Sequence, residues 1–329
     1  MKLILCFLLL LAQLSAASET PKSWSEWVSE GMALGVAGHN SAAALAFRQA
    51  LTTAEGSQIS HRQLVGIYDD LASAYADAGQ YLESEHAYRR GLTIVERSEG
   101  RSSLDYALLL ANMSRLPTHS GNRDETIALL REAVARHSQS ASARELAVLR
   151  ASLAEIFIDR KMYDEAERLL LDSQSDLARL GTRRPTVQAD LMNSLGELRF
   201  YQGLYDESID LNVKSLRLLE STVSSNHPWL IVPLNNLAAS YTKIGRLNDA
   251  HLTYKRAISV CEQSLGSDHP NCGSLLQNSA IVLRKLGHKR EAKDAEARGR
   301  EVQRASLRRA AVGATIDLAA FRGTTEPRK

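Results

Sequence analysis

Two short motifs in the second half of the chain place a histidine before a proline, and they are the first candidates for chemistry. Asn226-His227-Pro228 and Asp268-His269-Pro270 repeat at a spacing of 42 residues. A zinc site needs three or four converging ligands, and no Cys, His or Asp cluster accompanies these histidines in the sequence. Helix starts explain the motifs better, with Asn226 and Asp268 as N-caps and the prolines in the first turn. We therefore expect helix ends here and no metal.

Cys261 and Cys272 are the next candidates, since the third cysteine, Cys6, lies in an apolar N-terminal segment. The two are nearly symmetric about Gly266-Ser267, where we predict a turn between antiparallel helices. Such positions face each other, and a disulfide is allowed if the Cα separation is within about 7 Å and the compartment is oxidising. Two buried thiols packed as small hydrophobes are the alternative.

Common catalytic motifs are absent from the sequence: it has no Gly-x-Ser-x-Gly, no Gly-rich phosphate loop and no His-Glu-x-x-His. Its carboxylates neighbour Lys and Arg at positions expected to face solvent. We predict no enzyme and no cofactor, with an enzyme lacking any recognisable motif as a minor alternative. A formal charge of only +2 gives no reason to expect a nucleic acid partner.

The elements that position these residues repeat with a fixed period. A small residue within an apolar segment recurs seven times at spacings of 40 to 42 residues. A regular period of this size is typical of a solenoid. The seven positions are Gly31, Ala72, Ser114, Ala154, Gly196, Ala238 and Ala280.

A second segment in each unit keeps the same step. Twelve residues after each of these small residues comes a second one. A bulky residue usually follows it four positions later, and a further small residue follows the bulky one after three more. This spacing puts the three residues of the second segment on one helical face. Small residues let two helices approach closely, and a Gly in the turn between segments ends the first helix. Each unit is thus predicted to be a helix hairpin that stacks on its neighbours. The second-segment positions are Ala43, Ser84, Thr126, Ala166, Ser208, Ala250 and Ala292.

The unit resembles a tetratricopeptide repeat from Trp24 to Arg304, and unit one keeps a Trp-x-x-x-Gly spacing at 27–31. The period exceeds the usual 34 residues. The longer unit is similar to the kinesin light chain variety, with Asn-His-Pro at 226–228, Leu-Asn-Asn-Leu-Ala at 234–238 and Leu-Gly-Ser-Asp-His-Pro at 265–270. Units three and four depart from the pattern, because Pro117 replaces an aromatic residue and Lys161 replaces the turn glycine.

The resemblance implies an all-α, right-handed superhelical α-solenoid of about seven antiparallel hairpins within residues 22–304. Residues 305–329 are expected to form the end of a capping helix and a mobile tail. The predicted units lie near 24–56, 61–98, 103–138, 143–180, 185–222, 227–265 and 269–304.

The resemblance also implies that the first helices line a concave groove that binds a protein or an extended peptide. Asn recurs at one position of the unit, and an amide can both donate to and accept from a peptide backbone; bonding to a neighbouring helix end is the alternative. Units two and four contribute acidic residues and units six and seven basic ones, which predicts a preferred ligand direction. The predicted groove residues are Asn112, Arg115, Asn193, Glu197, Tyr201, Asn235, Asn236, Lys243, Gln277, Asn278 and Arg284.

The two ends of the chain carry separate signals. Residues 3–14 are apolar except for Gln13 and precede Ser15-Ala16-Ala17, which predicts a signal peptide over 1–17 and a secreted or periplasmic protein. A retained anchor is the alternative, although the run is shorter than the ~20 residues of a membrane span. From Arg284 to Lys329 there are 13 Lys or Arg and 6 Asp or Glu. This basic end is expected to be a polar cap, or else to contact an anionic surface.

These features together predict a protein–protein interaction scaffold or adaptor. The alternative is a receptor for a small peptide or other ligand in an envelope sensing or trafficking pathway. The two differ in whether a folded partner or a short ligand occupies the groove.

Overall fold

The structure, a computed structural model, describes residues 21–54, 57–116, 122–138, 140–179 and 185–321. The predicted signal peptide and Pro117 lie outside these residues. The described residues form helices only, with a 3-10 turn at Pro228–Leu230 before α11. The α-helices are α1 (Trp24–Val36), α2 (Asn40–Ala54), α3 (His61–Asp77), α4 (Tyr81–Ser98), α5 (Leu104–Ser114), α6 (Arg123–His137), α7 (Ala143–Asp159), α8 (Tyr163–Arg179), α9 (Pro185–Tyr201), α10 (Tyr205–Glu220), α11 (Ile231–Lys243), α12 (Leu247–Leu265), α13 (Pro270–Lys285) and α14 (Lys289–Phe321).

The helices pair in chain order as hairpins, from α1–α2 to α13–α14, and the second helix of each hairpin packs on the first helix of the next. First helices of neighbouring units also touch, as α7 touches α9 and α9 touches α11. These contacts place the odd-numbered helices on the inside of a curved stack. The predicted superhelical solenoid of seven hairpins is confirmed.

Small residues let the paired helices approach closely, as the sequence pattern predicts. Ala43, Ser84 and Ala250 are each 0 % exposed. In the first hairpin, a Cβ added at Gly31 would lie only 2.7 Å from the ring of Phe47. The apolar core therefore runs between the helices of every hairpin and on into the next hairpin.

The two His-Pro motifs start helices, but the capping residues differ from the predicted ones. The cap of the 3-10 turn is His227, whose Nδ1 accepts from the Trp229 amide at 3.2 Å, and the cap of α13 is His269, whose Nδ1 accepts from the Asn271 amide at 3.1 Å. Asn226 and Asp268 precede the caps, so the prediction that they cap these helices is wrong. An imidazole Nδ1 reaches the amide two residues on, as a shorter cap oxygen would.

Two contacts between distant units close the solenoid on itself. His227 Nε2 donates to the carbonyl oxygen of Val36 at 3.0 Å, and Tyr81 Oη donates to Asn271 Oδ1 at 3.3 Å. The turn of unit one thus meets the start of unit six, and the turn of unit two meets the start of unit seven. Helix α4 also contacts α14. The concave side is therefore an enclosed passage rather than an open groove.

Cys261 lies near the end of α12 and Cys272 near the start of α13, and their sulfurs lie at disulfide-bonding distance with the Cα atoms 5.7 Å apart. Both side chains are 0 % exposed. The pair ties the two helices together at the turn where unit seven begins.

The last helix is longer than predicted. Helix α14 has 33 residues and continues to Phe321, past the expected end of the repeats at residue 304. Its alanines and arginines are strong helix formers, and no proline interrupts them. Residues 322–329 lie outside the described part of the chain. Neither α14 nor any other helix of the described residues has the length and apolarity that crossing a bilayer requires.

Candidate functional site

A cavity of about 220 Å³ lies inside the closed solenoid, where α3, α5, α9 and α11 converge. Helix α9 contributes most to it, because Asp190, Asn193 and Glu197 are spaced three and four residues apart and so share one helical face. The polar part of the wall consists of Asn40, Asp77, Arg115, Asp190, Asn193, Ser194, Glu197, Asn236 and Asn271. We call this space the central cavity.

Four of the predicted groove residues meet in the central cavity: Arg115, Asn193, Glu197 and Asn236. They come from units three, five and six. The first-helix positions of the repeat therefore contribute to the wall, and their role in binding a ligand stays a prediction.

The other amides are used within the protein. Asn112 Nδ2 donates to Asp69 at 3.0 Å, Asn278 Nδ2 donates to Asn235 Oδ1 at 3.0 Å, and Gln277 donates to Gln303 at 2.9 Å. These bonds join side chains of neighbouring helices rather than helix ends, and binding of a ligand at these positions stays a prediction.

The remaining three predicted groove residues lie outside the central cavity. Arg284 pairs with Glu296 of α14 at 2.7 Å, Lys243 Nζ lies 5.6 Å from the centre of the Phe200 ring, and Tyr201 is 51 % exposed. The predicted basic end of the ligand groove is therefore not part of this cavity.

Arg115 is the cation at the centre of the site. Its guanidinium bonds Glu155 of α7 at 3.0 Å. The remaining wall carboxylates, Asp77, Asp190 and Glu197, make no ion pair and no side-chain hydrogen bond within the described residues. The wall thus holds more negative charge than its own cation offsets.

The surroundings of Glu197 shift its pKa upward. Burial, together with the carboxylates of Glu155 and Asp159 on α7, raises the pKa of Glu197 to about 7, while Arg115, directly after α5, opposes the rise. A cation placed beside Glu197 would favour the ionised carboxylate and so lower this pKa. The carboxyl is thus poised to change its protonation state when a ligand binds.

Asp77 and Asp190 show the same trend. Burial raises the pKa of Asp77 to about 6, with Arg115 opposing the rise. Burial also raises the pKa of Asp190, again against Arg115, while Glu155 adds to the rise. Each of these carboxylates would be stabilised in its charged form by a further cation.

Asn193 carries an unused hydrogen-bonding group. Its side chain is 8 % exposed, and its Oδ1 has no hydrogen-bond partner within the described residues. A buried acceptor without a donor is costly. The atom lies in the wall of the cavity, where a ligand N–H could satisfy it.

A second cavity of about 370 Å³ adjoins the first and shares Arg115, Asp190 and Trp229 with it. Together they fall in the range of roughly 300–1,000 Å³ typical of ligand clefts. Arg144, Val148 and other residues complete the second wall. Within the described residues, no three His, Cys, Asp or Glu side chains are arranged to share a metal ion.

Sequence reasoning missed several wall residues. Asp190 could have been found, because it lies three residues before Asn193 on the same helical face. Asn40, Trp229 and Asn271 could not, since closure between distant units is what brings them to the cavity.

Comparisons with known proteins agree with this fold. Residues 64–105 and 187–263 each match a family model described as tetratricopeptide repeat. The chain is 24 % identical over 241 residues to Protein KINESIN LIGHT CHAIN-RELATED 3 of Arabidopsis thaliana, which covers 73 % of the chain. The chain spans only 37 % of the length of that relative.

Solved structures show the same architecture. BtubC (BKLC) from P. vanneervenii superposes with a TM-score of 0.53 at 15 % identity, covering 83 % of this chain and 96 % of its own. A Rap protein complexed with Competence and Sporulation Factor superposes with a TM-score of 0.61 at 12 % identity, covering 90 % and 91 %. At these identities the likeness concerns the fold alone.

Proposed function

Since the chain is a tetratricopeptide-repeat protein of the kinesin light chain-like type, we propose that it is an interaction scaffold that holds an extended segment of a partner protein in the central cavity. Tetratricopeptide repeats serve protein–protein interaction. The observation that carries the finer proposal is the cavity itself, whose wall combines uncommitted carboxylates with an unpartnered amide. Concave sites with a few convergent polar groups are the preferred binding sites of proteins.

A receptor for a short free peptide is the second candidate. The enclosure of the cavity favours it, because contacts such as His227 to Val36 close the concave side between distant units. A structural neighbour, the Rap protein, is described in complex with a factor. A folded partner would need to supply a protruding segment, whereas a short peptide would enter whole.

The proposed setting is outside the cytoplasm. A disulfide such as Cys261–Cys272 persists in oxidising compartments, which supports the signal peptide predicted for residues 1–17. Contact of the basic last helix with an anionic surface stays a prediction.

A blocking variant tests the proposal. Ser194→Trp places an indole in the cavity, and Ser175→Trp, on an exposed position of α8, is the matched control. Tagged full-length chains would be used to capture partners from the native envelope or extracellular fraction, with helicity checked by circular dichroism.

We expect the wild type and Ser175→Trp to capture the same partner or peptide. The amount captured by Ser194→Trp should be at least tenfold lower. Equal capture by both variants would move the binding surface away from the cavity and overturn the proposal.

A further inference from the structure

The balance of charge and hydrogen-bonding groups in the central cavity indicates what kind of side chain it accepts. Asp77, Asp190 and Glu197 have no ion-pair partner within the described residues, while the charge of Arg115 is offset by Glu155 at 3.0 Å. Bringing like charges together in a concave, partly desolvated wall is unfavourable unless a cation completes it. The wall is thus complementary to positive charge.

The unpartnered amide oxygen of Asn193 leads independently to the same chemistry. Asn193 Oδ1 is an acceptor, is buried, and lies between Asp190 and Glu197 on the same face of α9. It requires an N–H or O–H donor. Guanidinium and ammonium groups supply several donors and no acceptor, so a single cationic group could satisfy the amide and a carboxylate together.

An aromatic side chain completes the arrangement. Trp229 lines both cavities and is 40 % exposed, with its ring held edge to face against His227 at 4.6 Å between ring centres. Indole faces attract cations and cover the methylene stems of Arg and Lys. The ring is positioned by the residue that closes the solenoid.

We infer that the central cavity accepts an arginine or lysine side chain of a bound peptide segment, with Asp190 and Glu197 as counter-ions, Asn193 Oδ1 as hydrogen-bond acceptor and Trp229 against the stem. This inference rests on the proposed function and deepens it by naming the ligand chemistry. Lys243 and Arg284, which were predicted to form a basic end of the groove, do not line the cavity.

Peptide selection tests the inference. The probes are four libraries of acetylated and amidated heptapeptides with random flanks and a fixed centre: arginine, lysine, citrulline or glutamate. Citrulline has the shape of arginine without its charge. Each library is equilibrated with the immobilised full-length protein, and the retained peptides are quantified by mass spectrometry.

Two double variants and the blocking variant accompany the wild type. Asp190→Asn with Glu197→Gln removes the counter-ions while keeping their shape. Asp172→Asn with Glu301→Gln removes two exposed carboxylates on α8 and α14 and serves as the matched control. Ser194→Trp measures retention that does not involve the cavity.

We expect the arginine and lysine libraries to be retained at least fivefold over the citrulline and glutamate libraries. The cavity double variant should lose this preference, and the matched control should keep it. The inference would be overturned if the libraries are retained without a charge preference, or with a preference for glutamate, while Ser194→Trp abolishes the retention. The proposed function would then still stand. If the wild type retains no library better than Ser194→Trp does, both the inference and the proposed function would be overturned.

Proton linkage gives a readout that loss of folding would not produce. Glu197, which faces Glu155 and Asp159 from α7 and Arg115 from the residue directly after α5, is partly protonated near pH 6.5. A selected arginine peptide should displace that proton, so calorimetry in two buffers of different ionisation enthalpy should show net proton release. Affinity should rise from pH 5.5 to 8 as the carboxyl ionises, and an affinity that falls with pH would contradict the inference.

Discussion

Lys161 occupies a turn position that glycine holds elsewhere in the chain. Its φ is 59°, and the corresponding residues Gly79, Gly203 and Gly245 have φ of 72°, 83° and 80°. A side chain is disfavoured in this region because its Cβ crowds the backbone. The sequence shows the replacement, and the structure shows that the turn keeps its shape and that Lys161 bears the strain.

Lys161→Gly should raise the free energy of unfolding by about 1 kcal/mol, because glycine adopts this φ without the Cβ penalty. The converse change, Gly203→Lys, should lower it by a similar amount, since no atom lies within 4 Å of the added Cβ and only the backbone term remains. Urea unfolding followed by circular dichroism measures both. A Lys161→Gly chain no more stable than the wild type would show that this turn carries no strain.

At the scale of the element, the repeated small residues allow the paired helices to pack closely. Gly31 on α1 faces the Phe47 ring of α2, and Gly196 on α9 faces the Asn212 amide of α10. The sequence pattern predicts both contacts, because the partner lies sixteen positions on in each unit. The caps were harder to predict, since His227 and His269 replace the usual oxygen with an imidazole nitrogen.

Gly31→Ala should lower the free energy of unfolding by roughly 1–3 kcal/mol, the usual cost of overpacking, because the new methyl group would lie 2.7 Å from Phe47. Gly35→Ala, on the same helix with nothing within 4 Å of the added Cβ, should be neutral or stabilising by about 0.5–1 kcal/mol. Thermal unfolding of the two variants gives the comparison. Equal effects of the two changes would show that α1 does not pack closely on α2.

At the scale of the whole molecule, closure decides the shape of the binding site. Val36 and Tyr81 contact residues of units six and seven that lie about 190 positions further along the chain. Gly79 is close to this contact, and a Cβ there would lie 2.7 Å from Pro270. Each hairpin could form without these contacts, but the enclosed cavity could not.

Gly79→Ala should open the closure, whereas Gly245→Ala should leave it intact. Both residues have positive φ, so both changes should cost about 1 kcal/mol, but only the Gly79 methyl would clash with unit seven. Small-angle X-ray scattering should show a larger radius of gyration for Gly79→Ala alone. Identical scattering of the two variants would contradict the role of this contact.

The sequence by itself determined the hairpin, the period and the stacking, because these depend on side-chain size at fixed helical spacings within some forty residues. It also placed Asn193, Glu197 and Asn236 on inner helices and Arg115 at the end of one. Only the tertiary structure decided that Asn235, Asn278 and Arg284 pair within the protein and that Trp229 faces the cavity. The physical reason is that superhelical curvature sums small rotations over five units, and no local pattern encodes which distant residues then meet.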